Sequence, residues 1–167
     1  TFRIQSGDMK NIFSKIHPEL QPAAKTSPKL SFNKKSIWFI NLLMRLMPSP
    51  KNLEGILIEN LHIASQDDRT QIRLRIYKPE NITVPTPVLL WMHGGGYVIG
   101  RPEQDDASCV QYVRDLGITV VSVDYRCGPK HPFPAGLNDC YAALKWVVSH
   151  AQELNIDPGR IAVGGNS

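Results

Sequence analysis

Val88-Leu89-Leu90-Trp91-Met92-His93-Gly94-Gly95-Gly96-Tyr97 joins an unbroken apolar run to three successive glycines. A continuous apolar run of this length predicts a strand buried on both faces. Glycine lets a backbone approach a ligand closely, with its N–H groups uncovered. Such a segment at a strand's carboxyl end faces the crevice where open α/β sheets bind ligands. A phosphate-binding loop would close on Lys-Ser or Lys-Thr, and Tyr97-Val98 stands there instead. The glycines also lack the spacing of a dinucleotide fingerprint.

Downstream of this stretch, strands and helices alternate. Glu103–Leu116 predicts a helix after Pro102, with Val110, Val113 and Leu116 on one side. Asp105 and Asp106 fall in its first turn, where the helix dipole favours carboxylates, a structural role rather than a catalytic one. Ile118–Val123 predicts another buried strand. Ala135–Ala151 predicts a helix with an inward stripe of Leu137, Cys140, Tyr141, Leu144 and Val148. Ile161–Val163 predicts a last strand. This alternation implies an α/β fold with a mainly parallel sheet and helices on both faces.

Upstream, Ile56–Ile63 and Gln71–Tyr77 predict two strands joined by turn chemistry at Ser65-Gln66-Asp67-Asp68-Arg69, hence an antiparallel pair. In the second, Ile72, Leu74 and Ile76 alternate with Arg73 and Arg75, the period of a half-buried strand. Residues 36–47 predict a helix capped by Ser36 and stopped by Pro48 and Pro50. It is apolar nearly all round, which implies packing on more than one side or against a greasy cavity. Residues 1–35, interrupted by Pro18, Pro22 and Pro28, allow only short helical pieces.

Composition sets further bounds. Over 167 residues, hydrophobic residues make up 42% and charged residues 20%, ordinary for a globular domain. Residues 1–50 hold eight Lys or Arg (Arg3, Lys10, Lys15, Lys25, Lys29, Lys34, Lys35, Arg45) against Asp8 and Glu19. These bases are scattered rather than blocked, so they read as a solvated face and not as a nucleic-acid patch. No apolar run approaches the ~20 residues of a membrane span. Cys109, Cys127 and Cys140 are odd in number and lack metal-ligand spacing; buried free thiols in a reducing, cytoplasmic setting are expected. His17, His62, His131 and His150 pair with no acid or thiol at ligand spacing, so no metal is expected and structural or surface roles are assigned.

Ile161-Ala162-Val163-Gly164-Gly165-Asn166-Ser167 runs from an apolar strand into small residues and a serine, the first half of a turn that lifts a hydroxyl above a sheet. Taken together, His93-Gly94-Gly95-Gly96, Val123-Asp124-Tyr125-Arg126, His131-Pro132-Phe133-Pro134-Ala135 and Arg160 to Ser167 resemble, in order, the signatures of the hormone-sensitive-lipase-like α/β-hydrolases, a family rich in bacterial carboxylesterases. The resemblance covers about residues 55–167. It implies an α/β-hydrolase fold preceded by a helical cap over residues 1–54. It implies a serine carboxylesterase acting on short-to-medium acyl esters through an acyl-enzyme, without a cofactor.

By the same resemblance, Ser167 is the nucleophile, and Gly95 and Gly96 are the oxyanion donors. His93 and Gly94 are the scaffold of that motif rather than the base. Tyr97, Trp38, Phe39 and Leu42 are candidate walls of a substrate pocket. Two departures stand out: Asn166 replaces the family's usual aspartate, and Cys127-Gly128-Pro129-Lys130 replaces a more typical Leu-Ala-Pro-Glu. In this fold the triad acid and histidine follow the serine. The expectation is therefore a first half ending at the nucleophile turn, completed by a remaining half of the domain. An unpaired sheet edge after Ile161–Val163 implies the need for such a partner. A small-molecule ester is the expected ligand and a homodimer a candidate assembly; neither nucleic acid nor stable membrane insertion is expected. A non-catalytic small-ligand receptor on the same fold, or an inactive fragment, are the competing readings.

Overall fold

The computed structural model describes residues 15–26, 33–46, 48, 50, 53–67 and 70–167. Part of the basic leader (Arg3, Asp8, Lys10, Lys29), Pro28, the helix end at Met47 and the turn residues Asp68 and Arg69 lie outside the described residues. The chain divides into two compact units, residues 1–32 and 33–167. In the first, a 3-10 turn at Pro18–Leu20 leads into α1 (Gln21–Thr26), and neither buries a residue.

The second unit opens with α2 (Lys34–Met44). Asn33, not Ser36, caps it: the Asn33 side chain accepts from the backbone N–H groups of Lys35 and Ser36, both at 3.0 Å. Ser36 returns the bond by accepting from Asn33 N at 3.1 Å, a reciprocal capping box. Trp38 (65% exposed) and Phe39 (52%), with Leu43, stand open. The expected burial on several sides is therefore not found. An isolated short helix buries only the face turned to its neighbour, here through Asn41.

Five strands form one sheet in the order β1-β2-β4-β3-β5: β1 (Ile56–Ala64), β2 (Gln71–Pro79), β3 (Thr86–Met92), β4 (Thr119–Asp124) and β5 (Ile156–Gly165). β1 and β2 pair antiparallel, as the turn chemistry predicts, and β2 is antiparallel to β4. β4, β3 and β5 run parallel. The parallel crossovers carry α3 (Asp106–Leu116), preceded by a 3-10 turn at Pro102–Asp105, and α4 (Ala135–Ser149).

Strand alternation sends side chains to two cores, one per face. On one face Leu74, Ile76, Val88, Leu90, Val121 and Val123 meet Ala143 and Val147 of α4. On the other, Tyr77, Trp91 and Val120 meet Cys109, Val110 and Val113 of α3. This is the layered architecture expected for the α/β class.

Three expectations need correction. Leu116 is exposed, because the left-handed Gly117 ends α3 there. The buried stripe of α4 is Gly136, Asp139, Ala143 and Val147, while Leu137, Tyr141 and Val148 are exposed. A charged residue at the centre of the stripe, Asp139, shifts it by hiding the apolar period. Finally, β2 is not half-buried: Arg75 is as enclosed as its apolar neighbours. Its guanidinium donates to both carboxylate oxygens of Asp106, at 2.9 and 2.8 Å, and to Tyr77 Oη at 3.1 Å. A buried charge persists only with such partners.

β5 also begins earlier than the apolar run suggests. Thr86 faces Ile156 and Val88 faces Ile161, so the residues between them on β5 bulge out. Asp157 holds the bulge, accepting from Gly159 N at 2.8 Å and from Arg160 Nε at 2.6 Å.

Candidate active site

The parallel strands β3 and β5 end side by side. Trp91 pairs with Gly164 and Met92 with Gly165. Asn166 N then donates to Met92 O at 3.0 Å. The tri-glycine loop and the serine thus leave the sheet at one edge, where open α/β sheets place their ligands.

The loop folds tightly on itself. Gly95 O accepts from the N–H groups of both Val98 and Ile99, each at 3.1 Å. Gly95 has φ +128, and a Cβ there would overlap the Ile99 carbonyl. At Gly94 the need is proximity instead: an added Cβ would lie 3.3 Å from the backbone carbon of Asn166 and 3.4 Å from that of Ser167. The absence of side chains is what lets the loop lie against the serine turn.

His93 fixes the base of the loop. It is buried, with Nδ1 at 3.0 Å from Gly94 O, which also accepts from Gln104 Nε2 at 3.1 Å. Gly94 O being an acceptor, Nδ1 carries the proton. Burial pushes the His93 pKa down, outweighing the favourable bond to Gly94 and the nearby Asp124, Asp105 and Glu103 carboxylates. A neutral ring bonded this way acts as a brace.

A cavity of about 810 Å³ opens above these elements. Gly94, Gly95, Gly96, Tyr97 and Ser167 line it, so the proposed nucleophile and oxyanion segment share one space. Phe133, Leu137 and Cys140 add an apolar wall, and burial pushes the Cys140 thiol up to about 12. Arg126 also reaches the cavity, but its guanidinium is held by Asp139 at 2.8 Å and Asp67 at 3.2 Å. Trp38, Phe39 and Leu42 are exposed and do not line the cavity. His131 does line it, a location its sequence context does not reveal.

Two site residues escape sequence reasoning. Asn41 of α2 reaches the loop: its Nδ2 donates to Val98 O at 3.3 Å and its Oδ1 accepts from Gly100 N at 3.4 Å. Its signal is faint, a lone amide inside the apolar run of residues 37–44. The other is Asp105, which lies beneath the serine turn rather than merely at a helix start. Among the described residues, no cluster of His, Cys, Asp or Glu could hold a metal ion. No helix there is long and apolar enough to cross a membrane.

The chain has the α/β-hydrolase fold: residues 89–167 match a family model described as alpha/beta hydrolase fold. It is 40% identical over 125 residues to carboxylesterase NlhH of Mycobacterium tuberculosis, covering 75% of this chain and 39% of that protein. It is 44% identical over 98 residues to esterase LipI of the same organism, covering 58% of this chain and 31% of LipI. Among solved structures, a bacterial heroin esterase superposes with a TM-score of 0.81 at 40% identity, covering 93% of this chain and 50% of that one. The chain thus spans half or less of these relatives' lengths. The resemblance drawn from the four motifs is borne out.

Proposed function

We propose that the intact protein is a serine carboxylesterase acting on short-to-medium acyl esters. The supporting observation is that Gly94 lies close enough to the Asn166–Ser167 backbone for an added Cβ to touch it, and that the tri-glycine segment and Ser167 line one cavity. Ser167 Oγ attacks the ester carbonyl carbon while a histidine from sequence beyond this chain takes its proton, with an acid orienting that histidine. Gly95 and Gly96 N–H groups receive the oxyanion, each such donor worth about 3 kcal/mol of barrier. Collapse releases the alcohol, which takes the proton back from the histidine. Water, deprotonated by the same base, then attacks the acyl-serine; the histidine returns that proton to Ser167 Oγ as its bond to the acyl carbon breaks and the acid is freed.

The wall supports an uncharged, largely apolar acyl group. Among the described lining residues, the guanidinium of Arg126 is committed to Asp139 and Asp67 rather than turned to a carboxylated substrate. In this reading α2 belongs to the cap, and Asn41 is its link to the loop.

The test is turnover of p-nitrophenyl acyl esters by the intact protein, together with Ser167→Ala. Loss of turnover and of fluorophosphonate labelling in the variant is expected. Activity surviving in Ser167→Ala overturns the assignment. Tight binding of esters without turnover by the parent would indicate the receptor reading.

A further inference from the structure

Asp105 precedes the first residue of α3, the position at which an aspartate ordinarily accepts from the helix's own N–H groups. It makes no such bond. Its side chain is instead turned under the sheet edge, and the residue is 6% exposed. One carboxylate oxygen accepts from Trp91 Nε1 at 2.8 Å, and the other from Asn166 Nδ2 at 2.9 Å. Trp91 lies on β3 two residues before His93, and Asn166 immediately precedes Ser167. Resting on the esterase reading, we propose that Asp105 is a positioning residue for the nucleophile, clamping the Asn166 amide to β3 so that the serine and the tri-glycine loop keep one fixed spacing.

The chemistry of the clamp demands one acceptor and two donors. Trp91 can only donate, so Asp105 must accept, and residue 166 must present an N–H or O–H to the remaining oxygen. Asn166 meets that demand at every pH, whereas a carboxylate at 166 meets it only while protonated. The other ionisable groups around the site leave this logic intact. Glu103 and Asp106, on either side of Asp105, are bound to Arg73 and Arg75 respectively. His93, Cys109 and Tyr125 feel the Asp105 charge. Burial pushes the first down, and it raises the thiol to about 12 and lifts the phenol as well.

The experiment uses the intact protein and two variants: Asn166→Asp and the swap Asp105→Asn/Asn166→Asp. In Asn166→Asp two carboxylates lie within hydrogen-bond distance and share one proton, so one of them titrates well above its usual range. Activity should be close to the parent's at low pH and fall as pH rises through that step. At pH 8 the loss in kcat/KM should be about a hundred-fold, the penalty of a small misplacement of reacting groups, carried by kcat with KM little changed. In the swap the amide introduced at 105 accepts from Trp91 Nε1 through its oxygen and donates from its nitrogen to the carboxylate introduced at 166, so both bonds are satisfied; activity should return to within a few-fold and lose the added pH step.

A parallel readout needs no catalysis: the Trp91 indole N–H resonance, assigned by its loss in Trp91→Phe. It should titrate with the added step in Asn166→Asp and stay flat in the swap. An unaltered pH profile and indole titration in Asn166→Asp, or a swap no better than that single variant, overturns the proposal. If Asn166→Asp does not fold, the swap decides alone, and an unfolded or inactive swap also overturns it. Failure of the esterase reading is separable: it is seen as activity persisting in Ser167→Ala, while the indole titration still reports on the clamp.

Discussion

Tyr125 lies flat against His93, with ring centroids 4.1 Å apart and planes 7° from parallel, and its hydroxyl donates to the His93 backbone carbonyl at 2.6 Å. One side chain from the end of β4 thus fixes both the ring and the main chain at the root of the tri-glycine loop. Burial raises the Tyr125 pKa, so the hydroxyl remains a donor through the alkaline range.

Tyr125→Phe keeps the stacking and removes only the bond. The expected change is about 1 kcal/mol of stability and a fall in kcat/KM expressed in kcat, read by urea unfolding and steady-state kinetics. Parent-like values in both would show that the hydroxyl does not brace the loop.

Gly95 and Gly96 predict unequal responses to alanine. At Gly95 a Cβ would overlap the Ile99 carbonyl, so Gly95→Ala must move the loop and should abolish turnover. At Gly96, φ is +59 and nothing lies within 4 Å of an added Cβ. Gly96→Ala keeps the N–H and meets only the left-handed backbone penalty of about 1–2 kcal/mol. It should retain measurable activity, checked by kcat for a short acyl ester.

Arg75, Asp106 and Tyr77 form a buried set, with the Tyr77 hydroxyl donating to Asp106 at 2.5 Å. Asp106→Ala strands the guanidinium and should destabilise by about 3–5 kcal/mol. Replacing both charges with apolar residues, Arg75→Met with Asp106→Leu, should recover most of that loss. Chemical denaturation of the three proteins tests the order.

Glu103 makes stability depend on acid. Burial alone would raise its carboxyl, but the Arg73 guanidinium, 2.5 Å away, outweighs it and holds the pKa at about 2. A carboxylate depressed on folding adds stability above its unfolded value and loses it as pH falls through the folded one. The parent's melting temperature should therefore fall between about pH 5 and 2. Glu103→Gln should be less stable at neutral pH and show a shallower acid slope.

The inner strands are easy to read from their apolar runs: Val88–Met92 is unbroken, the β4 segment is broken only by Thr119 and Ser122, and the turn residues after Ala64 give the hairpin. What hides is whatever long-range pairing pulls inside. Asp139 is fully buried because Arg126 reaches it across the α4 interface, and that carboxylate disguises the true stripe of the helix. Arg75 looks like a surface residue until Asp106 arrives from α3. The same holds at the site. Ser167 and Gly94–Gly96 line the cavity together, and what singles them out in the sequence is the resemblance their motifs carry rather than small residues after a strand alone. Asn41 and Asp105 act on partners 57 and 61 residues away in sequence, and no periodicity encodes such a link.

Tyr97 sits at φ 61 with its carbonyl held by Gly128 N at 2.7 Å, yet its side chain is 73% exposed; Phe133 (86%) and Leu137 (58%) share the cavity wall. None of the three belongs to either core, so their replacement leaves the folding nucleus of contacts untouched. Substrate preference can then drift through these positions at little penalty to foldedness, since surface changes away from packed features stay within about 0.5 kcal/mol. A library confined to residues 97, 133 and 137 should yield a high fraction of folded members with divergent ester selectivity, whereas the same diversity at Trp91 or Tyr125 should mostly yield protein that does not fold.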